Sequence, residues 1–304
     1  MKLNFKGLIA AGFSPFNLNG DINLEQIPVL VDKLINNGIN GFYLMGSTGE
    51  GLSIKVDKRN KIVEAYAEAI NKRVPIIVNV SHSSYEVSAD LTRHAIQIGA
   101  DAVSATPPAY YSIDNLGQLT YAVEKIADCQ DRIPFIYYHI PGKTGLNFKM
   151  HLFLEQLEKR IPQLGGIKYT APALDDFMIC KENFGDRFKM FFGVDELFLP
   201  ALSMGADTFI GSTYNFMPPY YQTILKNYGT ENHQLAVDAY LKVVELIDVF
   251  LQFDGLAAQK SIMQMIGHNF GPPKAPILPL TTNQFNVLEK NLESLDYFKL
   301  IKEH

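Results

Sequence analysis

The sequence predicts a (β/α)8 barrel, an α/β fold, with a C-terminal helical extension, and three observations carry that expectation. Short apolar runs recur eight times, each separated from the next by a stretch of helical character. The runs are apolar throughout rather than alternating, as strands buried on both faces of a parallel sheet must be. At 304 residues the chain suits one barrel of about 250 residues plus an appendage.

The eight runs are Gly7–Ala11, Gly41–Leu44, Ile76–Val80, Ala102–Ala105, Phe135–Tyr138, Gly166–Lys168, Met190–Gly193 and Thr208–Gly211. Between the early ones lie Leu24–Asn37, Lys55–Asn71, Ser84–Ile98 and Leu116–Asp128. The first of these places Ile27, Leu30, Val31, Leu34 and Ile35 on one stripe of period 3.6 and stops at Asn37-Gly38. Ser84–Ile98 stops in the same way at Gly99. Eight βα units favour a closed parallel barrel. An open doubly wound sheet also accommodates eight strands, but no G-x-G-x-x-G follows the first one.

Beyond Pro218-Pro219 the pattern turns wholly helical, through Tyr220–Asn227, Gln234–Phe253, Gly255–Met265 and a last helix over about Thr282–Lys302. Residues 1–218 are therefore read as the barrel and 219–304 as an extension packed on it, the two forming one structural unit.

Composition narrows the function. The chain is 47% hydrophobic and 19% charged, a normal globular mix. Its 27 Lys and Arg against 32 Asp and Glu leave a net charge of −5, and the basic residues are scattered, which argues against a nucleic-acid partner. No run approaches the roughly 18 apolar residues of a membrane span. Cys129 and Cys180 have neither disulfide nor metal-ligand spacing, and the histidines are dispersed, so no metal site is expected and a reducing cytoplasm fits. The opening segment is too short and too interrupted by Gly12 and Pro15 for a signal peptide.

In such barrels the chemistry sits where strands end and βα loops begin. The sixth run ends Gly165-Gly166-Ile167-Lys168. A buried ammonium is costly as structure. As chemistry it is useful, because a desolvated amine loses its proton more readily and then attacks a ketone to form a Schiff base. Tyr138 closes the fifth run and offers a phenol for proton transfer. Tyr137, alternating with it, should face the helix layer. His139 reads as a hydrogen-bonded structural residue.

After the second run, Gly46-Ser47-Thr48-Gly49-Glu50-Gly51 supplies glycine freedom, hydroxyls and backbone N–H groups close to a helix start, a combination suited to a carboxylate or phosphate. A plain tight turn with Ser47 or Thr48 as helix cap is the competing explanation. The fourth run leads into Thr106-Pro107-Pro108-Ala109-Tyr110-Tyr111, in which the tyrosines suit aromatic packing at a subunit contact as well as a catalytic role. Asp195 and Glu196 follow the seventh run and can accept hydrogen bonds from a polyol, or simply open the next helix. Ser212 follows the eighth run and adds a hydroxyl. One amine, one phenol, an anion loop and polyol acceptors together suit pyruvate held as a Schiff base with a hydroxylated chain extending from it.

These residues resemble the N-acetylneuraminate lyase / dihydrodipicolinate synthase family of class I, pyruvate-dependent aldolases, and the resemblance runs through essentially the whole chain. Gly46-Ser47-Thr48-Gly49-Glu50 is similar to the family's carboxylate-binding loop. Tyr138-His139-Ile140-Pro141 is similar to its Tyr-x-x-Pro segment, and Gly166-Ile167-Lys168 to its Schiff-base signature. The resemblance implies a Schiff base at Lys168, proton relay at Tyr138 and carboxylate binding at Ser47 and Thr48. No cofactor is implied, because the lysine itself is the electron sink.

Thr170, Gly193-Val194-Asp195-Glu196 and Gly211-Ser212-Thr213-Tyr214-Asn215 resemble the sialic acid lyase branch. That implies sugar-chain binding by Thr170, Gly193, Asp195, Glu196 and Ser212, and a small-molecule substrate, sialic acid or pyruvate. Homotetramers are also implied, with Tyr111 reaching toward a neighbouring site. Lys143 departs from that branch. It stands where lyases usually carry an apolar residue and synthases an arginine, which leaves the synthase branch, or a lyase for another 2-keto-3-deoxy sugar acid, as the alternative. A non-catalytic sugar-acid sensor is the reading from another class, and it has no need of an amine at Lys168.

Overall fold

Eight strands pair in parallel in strict sequence order and close on themselves: β1 (Gly7–Ala11), β2 (Gly41–Leu44), β3 (Ile76–Asn79), β4 (Ala102–Ala105), β5 (Phe135–His139), β6 (Leu164–Tyr169), β7 (Lys189–Phe192) and β8 (Thr208–Gly211). Closure comes from β1 against β8, with Ile9 opposite Ile210. This computed structural model describes residues 3–108, 110–128 and 133–302; Cys129 lies outside them. The closed order excludes the open sheet.

Period-two alternation sorts the strand residues into two cores. Ile9, Tyr43, Ile77, Ile136, Tyr138, Phe191 and Ile210 fill the inside of the barrel. Leu8, Ala10, Phe42, Leu44, Val103, Tyr137 and Phe192 face the helices. Tyr137 packs edge-on against Phe153 at 4.7 Å, on the helix side as its parity requires.

Helices Gln26–Asn36, Val56–Ile70, Tyr85–Gln97, Leu116–Ala127, Met150–Leu157, Leu174–Phe184, Phe198–Ser203 and Pro218–Asn227 follow the successive strands. Local signals fix several ends. Ser84 accepts a hydrogen bond from the Val87 N–H at 3.4 Å, Asn115 accepts one from the Gln118 N–H at 2.9 Å, and Gly38 takes φ 80 after the first helix.

Then come His233–Leu251, Gly255–Met265, Thr282–Ser294 and Tyr297–Lys302. The single terminal helix expected from sequence is thus two. Asp296 adopts left-handed φ 56, and the Leu295 and Asp296 amides bond back to the Leu292 and Glu293 carbonyls, closing the first helix. The extension shares the outer core: Val243, Leu246, Phe250, Ile262, Leu288 and Tyr297 are buried in the same apolar cluster as the barrel helices. The Tyr297 hydroxyl donates to the Phe216 carbonyl at 2.9 Å. No helix among the described residues is long and apolar enough to cross a membrane.

Candidate active site at the carboxyl ends of the strands

Register brings the principal residues together. Tyr138 of β5 stands opposite Lys168 of β6, which stands opposite Phe191 of β7. All three point inward, so Lys168 is a buried amine among aromatic side chains, and it is only 5% exposed. Its Nζ lies 4.0 Å from the centroid of the Tyr138 ring and 4.1 Å from that of Tyr43. The two rings meet edge-on at 5.7 Å. A cation held between two aromatic faces is stabilised by their quadrupoles, most of all where water is excluded.

Tyr43 was not singled out from sequence, because an aromatic residue inside an apolar strand reads as core. Its inward parity was the available signal. The Tyr43 hydroxyl donates to Ser104 Oγ at 3.1 Å and accepts from Asn79 Nδ2 at 2.9 Å, so it is locked deep in the barrel. Burial foremost, then the neighbouring Tyr138, raises its pKa far above the ordinary phenol value and keeps it neutral.

The loop after β2 meets the site through Tyr138: the hydroxyls of Ser47 and Tyr138 are 3.5 Å apart. Ser47 is exposed and Thr48 half-buried. A cavity of about 150 Å³ opens between this loop and the extension; Ser47, Thr106 and Tyr138 line it on one side, Leu256, Lys274 and Ile277 on the other. Tyr138 lines this cavity and also lies 4.0 Å from Lys168 Nζ, so it joins the cavity to the amine.

On the other side of Lys168 the backbone comes close. A Cβ added to Gly193 would lie 3.4 Å from Lys168 Cε and 2.3 Å from Thr170 Oγ1. Thr170 Oγ1 is buried and has no hydrogen-bond partner, which leaves a hydroxyl free to bind a ligand.

The two adjacent carboxylates part company. Glu196 is exposed, and its backbone carbonyl accepts from the Tyr240 hydroxyl at 2.8 Å. Asp195 is buried. Its Oδ2 accepts from the Thr213 amide at 3.1 Å and the Thr213 hydroxyl at 2.7 Å, while Oδ1 is buried, with the neutral Tyr214 phenol set against the same carboxyl. Gly211 makes room for this carboxylate, since a Cβ there would lie 2.0 Å from Oδ1. Burial pushes the Asp195 carboxyl up to about 6 against the lowering effect of the Thr213 bonds. Thr213 was quoted in its motif but given no role by the sequence reading. Ser212 is half-buried beside it, its carbonyl taking the Asn215 side chain at 2.8 Å.

Three remaining residues stand apart. His139 is buried with its ring 5.0 Å from that of Tyr169, and its Nδ1 lacks a partner, so the hydrogen-bonded role expected of it is not seen at that nitrogen. Burial lowers its pKa to about 4, which keeps the ring neutral at pH 7. Lys143 lies exposed on the short helix Pro141–Thr144 that follows β5. Tyr111 is 82% exposed and packs edge-on against the equally exposed Tyr110 at 5.0 Å; within one chain it does not reach the amine.

Comparison with known proteins agrees across the whole chain. Residues 4–295 match the model of the dihydrodipicolinate synthetase family. The sequence is 31% identical to N-acetylneuraminate lyase of Mus musculus over 301 residues, covering 97% of this chain and 94% of the relative. It is 36% identical to N-acetylneuraminate lyase A of Xenopus laevis over 276 residues, 90% of each chain. The solved N-acetylneuraminate lyase of Aliivibrio salmonicida superposes with a TM-score of 0.92 at 34% identity, covering 98% of both chains.

Proposed function

The chain belongs to the dihydrodipicolinate synthetase family, and from that premise we propose that it is an N-acetylneuraminate lyase, cleaving N-acetylneuraminate reversibly to N-acetylmannosamine and pyruvate. The observation that carries the reading is the Lys168 amine, buried at the end of β6 between two phenol rings, in a chain similar to lyases along nearly its whole length.

Lys168, in its unprotonated form, attacks the C2 ketone of the sugar acid, and loss of water leaves an iminium. Ser47, Thr48 and the amides of their loop hold the carboxylate. Tyr138 gives its phenolic proton to the hydroxyl that leaves as water when the iminium forms; the resulting phenolate then takes the proton from the C4 hydroxyl while the C3–C4 bond breaks, and the regained proton serves the enamine carbon. The aldehyde leaves, and the electron pair of that bond moves into the iminium, which becomes an enamine. Protonation of the enamine carbon and hydrolysis release pyruvate and regenerate the lysine. Thr170, the Gly193 backbone, Asp195, Glu196 and Ser212 hold the hydroxylated chain; the unpartnered Thr170 Oγ1, beside Gly193 and Lys168, supports that assignment. The lysine is the electron sink, so the step as written uses no cofactor.

We further propose a cytosolic homotetramer, in which the exposed Tyr110–Tyr111 pair meets a neighbouring subunit. Residues 1–218 and 219–304 form one unit in this reading, which their shared core supports, although the helix Pro218–Asn227 after β8 spans the cut and belongs with the barrel helices.

Lys143 favours a second reading, dihydrodipicolinate synthase chemistry, in which a basic rim residue meets the carboxylate of an aldehyde acid. It ranks second because an ammonium matches a carboxylate less well than the planar guanidinium of arginine. Two assays separate them. Release of pyruvate from N-acetylneuraminate, followed through lactate dehydrogenase and NADH, supports the lyase. Condensation of pyruvate with aspartate semialdehyde, without that release, establishes the synthase instead.

A further inference from the structure

The carboxylate loop is gripped from behind by the C-terminal extension. Two non-glycine residues in left-handed backbone bracket it, Met45 at φ 61 and Glu50 at φ 54, a conformation that side chains of L-residues adopt seldom. The turn is also tight: a Cβ on Gly51 would lie 2.1 Å from the Met45 carbonyl oxygen. Glu50 lines the cavity beside Ser47, and its carboxylate is buried against the extension.

There Glu50 Oε1 lies 2.6 Å from Lys260 Nζ, with the two side chains 3% and 2% exposed. Glu50 Oε2 accepts the backbone N–H of Lys274. Lys260, on the helix Gly255–Met265, also donates to the Ser14 carbonyl at 3.3 Å and the Pro272 carbonyl at 3.2 Å. Ser14 Oγ in turn donates to the Gly49 carbonyl at 2.5 Å. The loop, the turn after β1 and the extension thus meet at one ammonium. Removing one partner of so buried a pair leaves the other charge uncompensated, and the groups bonded to it must move.

We propose that Lys260 is a positioning residue: by neutralising Glu50 it holds the Gly46–Gly49 backbone in the shape that binds a 2-keto acid carboxylate. This rests on the pyruvate chemistry assigned to Lys168. Through Lys260 the extension sets the affinity for the keto acid without touching it. An ion pair serving stability alone would lower the melting temperature and leave that affinity unchanged.

The test is sodium borohydride trapping of the pyruvate adduct in the full-length protein across a range of pyruvate concentrations. The parent, Lys260→Met and Glu50→Gln are compared, with circular dichroism to confirm folding. Glu50→Gln keeps one acceptor and removes the charge. The expected result is a half-saturating pyruvate concentration raised about tenfold or more in Lys260→Met, with full trapping still reached at saturation, and a smaller rise in Glu50→Gln. A folded Lys260→Met that saturates at the parent's concentration overturns the proposal, whatever its melting temperature. Should Lys260→Met fail to fold, Glu50→Gln decides alone, and unchanged half-saturation overturns it. A parent that traps no pyruvate at any concentration overturns the chemistry at Lys168 itself, and the positioning role with it.

Discussion

Lys168 Nζ sits 4.1 Å over the ring of Tyr43, a residue whose own hydroxyl is tied to Ser104 and Asn79. The ring face and the hydroxyl therefore do separable work. The face is available to a positive charge at the lysine nitrogen, which the iminium of the proposed reaction carries until C–C cleavage turns it into the enamine. The hydroxyl satisfies two buried polar side chains.

Substitutions at Tyr43 should separate the two. Tyr43→Phe keeps the face, so kcat stays near that of the parent, while the unpaired Asn79 and Ser104 cost about 1–3 kcal/mol of stability. Tyr43→Leu removes the face and should lower kcat by about 3- to 30-fold, the rate equivalent of one desolvated cation–π contact. Steady-state kinetics and urea unfolding of both variants check this. A Leu variant with the parent's kcat would remove the ring from the chemistry.

Tyr138→Phe retains the other ring face and loses the hydroxyl that lies 3.5 Å from Ser47 Oγ. Proton relay through that hydroxyl predicts a kcat reduced by about 10²- to 10⁴-fold with pyruvate affinity little changed. Rates near the parent's would take Tyr138 out of the relay.

Asp195 gives a pH dependence whose sign follows from its raised pKa. Burial lifts the folded-state carboxyl to about 6 from an ordinary 3.8, so the folded protein holds a proton there that the unfolded chain has released. Stability is therefore lost as pH rises from about 4 to about 6, and at pH 7 this carboxylate costs the fold on the order of 1–3 kcal/mol. Asp195→Asn should recover that stability at pH 7 and none at pH 4, while turnover of the sugar acid falls. Urea unfolding of both proteins at the two pH values checks it. Equal stability differences at pH 4 and 7 would contradict the assignment.

The barrel was legible because strands buried on both faces must be apolar throughout, and a charge at the end of such a run, as at Lys168, stands out. Tyr138 was found by its place one strand away. Tyr43 was hidden by the same logic, since an aromatic residue is unremarkable among Phe42 and Leu44 until closure of the barrel brings β2 across the interior from β6 and its ring to 4.1 Å from the amine. The separation of Asp195 from Glu196 depends on which of two adjacent side chains turns inward, and that is decided by Thr213 and Gly211 in the next strand-end loop. Lys260 reads as one more polar residue of a helix, because its partner Glu50 is remote in sequence. The break at Asp296 carries neither glycine nor proline, and one aspartate, though tolerant of left-handed backbone, is too weak a signal to split a helix in the sequence.

The most direct test of the Schiff base is to reduce the protein with sodium borohydride in the presence of pyruvate and map the modified peptide by mass spectrometry. The expected result is one stable adduct on Lys168, absent from a folded Lys168→Ala variant that also releases no pyruvate from N-acetylneuraminate. An adduct on Lys143 or another lysine, or turnover surviving in Lys168→Ala, would contradict the assignment of the buried amine as the nucleophile.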